Sequence, residues 1–169
     1  MSLNTDKLND VVASLVEAAS RAGADASDAV AVLGRSTSVT VRLGKVESTE
    51  ASEGDSLALR VFIGKRVASV SATIDADVDM LAERAVAMAK VSPEDPFQGL
   101  ADESRLVKDV PDLDLFDPTE VSADRLREDA LAAEEAALAV KGVTNSSGAG
   151  ANAGIGGLVL ATSAGFLGR

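Results

Sequence analysis

The sequence predicts an α+β fold: a four-stranded antiparallel meander with about three helices packed on one face. Three observations carry this expectation. Gly-X pairs recur at Gly44-Lys45, Gly54-Asp55 and Gly64-Lys65, with stretches of similar length between them. Apolar residues alternate in most of those stretches, as a sheet with one buried face requires. Other segments space their apolar residues at three and four, the period of an amphipathic helix.

The first helix is expected near the N-terminus, where Leu8, Val11, Val12, Leu15, Val16 and Ala19 form one stripe. Thr5 or Asp6 suits its N-cap, and Gly23 suits the C′ position, where a left-handed residue ends many helices. The meander comes next. Gly at the first central position of a two-residue turn supplies the positive φ of a type II′ hairpin. Such turns separate strands at 46–53, 56–63 and 66–73, and an earlier strand ends at Leu43 and reaches back towards Asp28. Val39, Val41 and Leu43 share one face, as do Leu57, Leu59, Val61 and Ile63, and then Ala68, Val70, Ala72 and Ile74. The stretch VESTEASE at 46–53 breaks the pattern, because it is polar on both faces. It is expected to extend past the core as a solvated arm, or to line a wet cleft or a partner surface.

A second helix follows, with Asp75 or Asp77 near its start, where acidic groups suit the helix dipole, and Val78, Leu81, Ala82, Ala85, Val86 and Ala89 on one side. Residues 92–120 contain all four prolines, which excludes a long helix there. Connections of this length are usually functional or docked on a surface. Phe97, Leu100, Leu113, Leu115 and Phe116 are spaced as anchors, so the segment is expected to pack down. A third helix is expected over 122–140, capped by Ser122, with Val121 stapled onto Leu126 and with Ala130, Ala133, Ala137 and Val140 extending its apolar side. After Gly142 the composition turns to Ser, Gly and Ala, with a strand-like GLVLATS at 157–163. The end of the N-terminal α+β domain, 1–141, is placed here.

Composition narrows the function. A net charge of −11 repels phosphate backbones, so nucleic acid is not an expected partner. No run of about 18 uninterrupted apolar residues occurs, so no membrane-spanning helix is expected. The N-terminus lacks a basic-then-apolar layout, and a cytoplasmic location is the expectation. Aromatic residues make up only 2%, all Phe, so the core must come from Val, Leu, Ile and Ala. The chain has no His and no Cys, which removes the commonest general base, thiolate chemistry and most catalytic zinc sites.

The remaining motifs are weak. Gly148, Gly150 and Ala153 fit the loose dinucleotide pattern G-x-G-x-x-[GA], but that site needs a strand before it, a helix after it and an acidic residue about 20 positions on. No acidic residue follows Gly148, and strands of small residues are the better reading. The set Asp109, Asp112, Asp114 and Asp117 lacks the ligand spacing of a calcium loop, and Leu113, Leu115 and Phe116 stand between its members. Glu134 and Glu135 read as the solvated face of the third helix. Lys45 and Lys65 fall at turns, so a Ser/Lys pair with a buried lysine is not expected. No residue of this chain is assigned a catalytic, cofactor-binding or metal-binding role.

Three stretches resemble one family. EDPFQGLAD at 94–102 followed by PDLDLFDP at 111–118 looks like the linker of the PmbA/TldE proteins; VRLGKVESTEASEGDSLALRVFIGKRVASVSAT at 41–73 is similar to that family's N-terminal sheet; VTNSSGAGA and LATSAGFLG near the C-terminus resemble its entry into a β-rich domain. The resemblance implies a subunit that pairs with a TldD-like partner in a heteromeric metallopeptidase degrading unfolded peptides; the "modulator of DNA gyrase" label attaches to the same family. It further implies that 142–169 is the start of a C-terminal β-rich domain, that zinc sits in that partner, on an H-E-x-x-x-H helix that nothing here matches, and that the family pattern continues past Arg169. This chain is then expected to act as a non-catalytic half that helps wall a substrate chamber. Peptide would be held by strand addition, with Glu47, Glu50 and Glu53 along its path. Two other readings stay open: a stand-alone binding or assembly module that associates with itself, and an enzyme with an unrecognised carboxylate site.

Overall fold

The structure, a computed structural model, describes residues 5–108 and 111–169. The elements run α1 (Thr5–Ala22), β1 (Ala26–Arg42), β2 (Lys45–Ile63), β3 (Arg66–Ala72), α2 (Val78–Val91), a short 3-10 turn (Glu103–Arg105), α3 (Ala123–Leu138), β4 (Ala149–Thr162) and β5 (Leu167–Gly168). The strands form a sheet in the order β3-β2-β1-β4-β5. The expected α+β class with its antiparallel sheet and its helices is present, with five strands rather than four.

The difference in strand count begins at Gly54. No turn occurs there: β2 runs unbroken for 19 residues, so the stretches 46–53 and 56–63 are one strand. The hairpin turns that do form use their glycines differently. At the β2–β3 turn, Gly64 has φ 57° and Lys65 does not enter the positive region, as type II′ demands. At the β1–β2 turn both Leu43 and Gly44 have positive φ, 49° and 75°, which is the type I′ pattern with glycine second. The remaining strands come from the C-terminal segment, where β4 lies beside β1. A Cβ on Gly148 would meet the Val41 carbonyl oxygen at 2.8 Å, so only glycine permits that approach.

The chain forms two compact units. One comprises Met1–Leu33, Asp55–Val110 and Gly156–Arg169; the other comprises Gly34–Gly54 and Pro111–Ile155. In the first, Leu8, Val12 and Leu15 of α1 and Leu81, Ala85 and Val86 of α2 share a core with Leu57, Leu59 and Val61 of β2 and Val159 of β4. Helix α1 ends in a Schellman motif: the Gly23 amide donates to Ser20 O and the Ala24 amide to Ala19 O, with Gly23 at φ 100°. The side chains of Thr5 and Asp6, the proposed caps of α1, lie outside the described residues. Asp77 caps α2, accepting from the Asp79 and Met80 amides at 3.0 Å. Asp28, almost fully buried, accepts from Arg60 Nε at 2.9 Å and Nη2 at 2.6 Å, and the guanidinium stands 5.2 Å from the Phe62 ring centroid.

The second unit has a small core of Val39 and Val41 from β1 and Leu126 and Ala130 from α3, with Ala149, Ala151 and Ala153 of β4 against it. Ser122 caps α3 as expected, accepting from the Arg125 amide at 3.2 Å. The buried stripe of α3 differs from the expected one. It is Leu126, Ala130 and Glu134, spaced at four, whereas Ala133, Ala137 and Val140 are exposed. The contact with β1 follows a row of steps of four, which winds slowly round the helix and leaves Ala133, Ala137 and Val140 off it.

Segment 92–122 also departs from expectation. Its start is tied down: the Asp95 amide donates to Lys65 O at 2.9 Å, and Arg66 Nη1 donates to Ser92 O at 2.8 Å. Its apolar residues are not anchors. Phe97 is 94% exposed and Leu115 86%; Leu113 and Phe116 are also exposed, and Leu100 is half-buried. The loop is shaped by aspartates bonding their own backbone instead. Asp95, Asp102, Asp112 and Asp117 each accept from the amide two residues on, at 2.8–3.0 Å. Those bonds hold the Asp95 and Asp117 carboxyls below the usual range, the Phe97 amide and Thr119 respectively being the main causes. Asp112 and Asp117 therefore act as turn formers; Asp109, the first member of that set, lies outside the described residues.

Candidate functional site

The polar stretch stands out in the structure as it does in the sequence. Residues 45–54 belong to β2 and are exposed throughout, except for half-buried Ser48. The cause lies in the pairing. Strand β3 matches β2 only from Leu57↔Ala72 to Ile63↔Arg66. Residues 45–54 thus have β1 on one side, and among the described residues no strand lies along the other. Their outward backbone N–H and C=O groups form an open edge, which is the physical requirement for accepting another strand.

Glu47, Glu50 and Glu53 all lie on this segment and all are exposed. Residues alternate across a strand, so Glu50 takes the face opposite Glu47 and Glu53. The three are set along an edge and do not converge on a point. Glu47 stands 3.8 Å from Arg42 in an exposed ion pair, while Glu50 and Glu53 have no ion-pair partner among the described residues. Lys45, at the start of the strand, is exposed as its turn position implied.

One functional-looking carboxylate escaped the sequence reading. Glu134, expected on a solvated face, is 2% exposed. Its Oε1 accepts from the Leu43 amide at 2.9 Å and its Oε2 from the Gly44 amide at 2.8 Å. The Gly44 amide, followed by the Ser146 hydroxyl, lowers its pKa against the opposing effect of burial. An acceptor held by so many donors stays ionised and is a poor general acid. Its work is structural: it fixes the I′ turn, in which Leu43 adopts a φ that costs energy for any residue with a Cβ. A shallow pocket of about 550 Å³ adjoins it, lined by Gly44, Leu131, Glu134, Glu135, Leu138 and Ala139. The sequence signal was available, since Glu134 continues the step of four from Leu126 and Ala130. A carboxylate on a buried stripe implies a backbone donor waiting for it.

The sequence lacks His and Cys, and among the described residues no three Asp or Glu side chains group closely enough to hold an ion. The residues present do not fit a zinc centre of the imidazole or thiolate kind. Gly148 and Gly150, from the dinucleotide pattern, lie at the start of β4 against β1 and not at the mouth of a helix. Among the described residues no helix is long and apolar enough to cross a membrane.

With this geometry in view, comparison with known proteins identifies the domain. Residues 27–89, which include β1, the open edge and β3, match PmbA/TldA metallopeptidase domain 1. The chain is 35% identical over 164 residues to the metalloprotease PmbA homolog of Haemophilus influenzae, covering 95% of this chain and 36% of that protein. The chain belongs to the PmbA/TldE family. It is also 40% identical over 134 residues to metalloprotease PmbA of Escherichia coli O157:H7, covering 77% of this chain and 30% of that protein. The chain thus spans about a third of the length of these PmbA relatives. Two solved structures share the fold. A protein described as a modulator of DNA gyrase from Bacteroides thetaiotaomicron superposes with TM-score 0.86 at 23% identity, over 98% of this chain and 39% of its own. TldE from Thermococcus kodakarensis superposes with TM-score 0.73 at 18% identity, over 94% of this chain and 36% of its own.

Proposed function

We infer that this PmbA/TldE-family chain is a substrate-guiding, non-catalytic part of a heteromeric zinc metallopeptidase acting on unfolded peptides. Hydrolysis and zinc belong, in this reading, to a TldD-like partner subunit, and this chain helps wall the chamber. The observation that carries the reading is the open edge of β2 at 45–54. An edge strand binds extended chains through backbone hydrogen bonds, so it holds unfolded peptides regardless of sequence and ignores folded proteins, whose backbones are already paired. The boundary at 141/142, and a β-rich domain following it, belong to the same proposal, as does a cytoplasmic location.

The test combines an unfolded peptide substrate with this chain alone, with a TldD-like subunit alone, and with both. The reading expects cleavage only where the partner is present, and protection of the 45–54 amides from hydrogen exchange when an uncleavable peptide is added to this chain. Zinc-dependent cleavage by this chain alone overturns it. The same open edge also favours a second reading, an assembly module that pairs with its own copy. Light scattering separates the two, because the second reading requires a dimer without peptide.

A further inference from the structure

We propose that the β2 edge at 45–54 selects cationic extended segments, with Lys or Arg at every third position, over neutral or acidic ones. This rests on the strand-addition reading and adds the ligand's chemical class to it.

The argument starts from what a strand laid along this edge would meet. Directly opposed side chains on neighbouring strands approach closely, so opposite charges there stabilise the pair and like charges destabilise it. Glu47, Glu50 and Glu53 are spaced by three along an exposed strand. Alternation sends Glu47 and Glu53 to one face and Glu50 to the other. A partner strand with basic residues at every third position reproduces that alternation and places one cation against each carboxylate. The spacing reads the same in both directions, so the match holds for parallel and antiparallel docking. Arg42 draws on Glu47, while Glu50 and Glu53 have no ion-pair partner among the described residues and are open to an incoming cation.

The same charges decide against the competing occupant. Two copies of this chain pairing antiparallel about Glu50 would set Glu50 against Glu50 and Glu47 against Glu53. Three like-charge oppositions, against two Lys45–Asp55 oppositions of opposite sign in the same register, on a molecule of net charge −11 disfavour that dimer. The glutamates therefore guard the edge from self-association and leave it open to a basic strand.

The experiment measures binding of synthetic peptides of about nine residues to the 169-residue chain by fluorescence anisotropy at low salt. One peptide carries Lys at every third position among Thr, Ser and Val; a second replaces those lysines by Gln; a third replaces them by Glu; a fourth is the lysine peptide N-methylated on every central backbone nitrogen, so that neither of its edges can pair. The expected result is that the lysine peptide binds about tenfold more tightly than the Gln peptide, the acidic peptide binds least, and the N-methylated peptide does not bind. The variant carrying Glu47→Gln, Glu50→Gln and Glu53→Gln should bind the lysine and Gln peptides equally, with an unchanged circular dichroism spectrum because all three residues are exposed. About 0.5 M salt should shrink the preference. Equal binding of lysine and Gln peptides to the unaltered chain overturns the charge selection while the strand-addition reading stands. Undiminished binding of the N-methylated peptide, or no binding by any peptide, overturns both.

Discussion

Residues 57–63 of β2 lie between β1 and β3, and Leu57, Leu59 and Val61 there are at most 1% exposed. Residues 45–54 of the same strand have a neighbour on one side only, and none of them is buried. Both stretches are equally extended, so burial is not what makes this backbone a strand. The ladder with β1, closed by a tight turn that Glu134 clamps, holds the outer half in place. Burial of alternate residues stabilises the inner half. One half supports the fold, and the other leaves its outer edge without a strand among the described residues.

Substitutions along and around β2 sharpen this contrast, and the largest effect belongs to the inner half. Leu59→Ala is expected to destabilise the chain by about 2–5 kcal/mol, because the surrounding core relaxes only partly around the void. Urea unfolding should show a lower midpoint at unchanged slope. A loss well under 1 kcal/mol would break the comparison. Asp28→Ala comes next. It removes two charge-assisted hydrogen bonds from Arg60, at a cost of about 1–3 kcal/mol, tempered by the guanidinium's partial exposure to water.

Glu134 tests how the outer half is anchored. Glu134→Gln should speed hydrogen exchange at the Leu43 and Gly44 amides while leaving Leu59 protected. Its folded pKa lies below the ordinary value of 4.5, so the folded state takes up this proton less readily than the unfolded chain. The stabilisation is therefore complete above about pH 4.5 and is lost as pH falls through the lowered folded value. Exchange at Leu43 and Gly44, corrected for the intrinsic pH dependence, should lose protection only in that acid range in the unaltered chain. It should lack the transition in Glu134→Gln. The smallest effect is expected for Glu50→Gln, within about 0.5 kcal/mol by the same urea measurement. A loss as large as that of Leu59→Ala would mean that the arm packs against something.

Local pattern made much of this fold legible. Gly23 and Asp77 sit where helix chemistry puts a C′ glycine and an N-cap, and the alternation of Leu57, Leu59 and Val61 marks a half-buried strand. The polarity of 46–53 announced an unburied strand before any partner strand was known. Other features were misread for physical reasons. Gly54 looks like Gly44 and Gly64 in sequence, but a glycine turns a chain only where the flanking strands can pair back on each other, and here β2 pairs with β1 beyond it. The apolar residues of 92–122 suggested anchors, whereas side-chain bonds from aspartates to nearby amides gave that loop its shape.

By itself the sequence determined the periods, the caps, the lack of His and Cys and the acidic polarity of one strand, because each of these depends on residue type and spacing alone. Only the tertiary structure decided that β4 lies beside β1, that β3 stops short and leaves 45–54 with an open edge, and that Glu134 turns inward to hold Leu43 and Gly44. Those outcomes depend on which backbone groups find partners far along the chain, and a partner many residues away leaves no mark on local spacing.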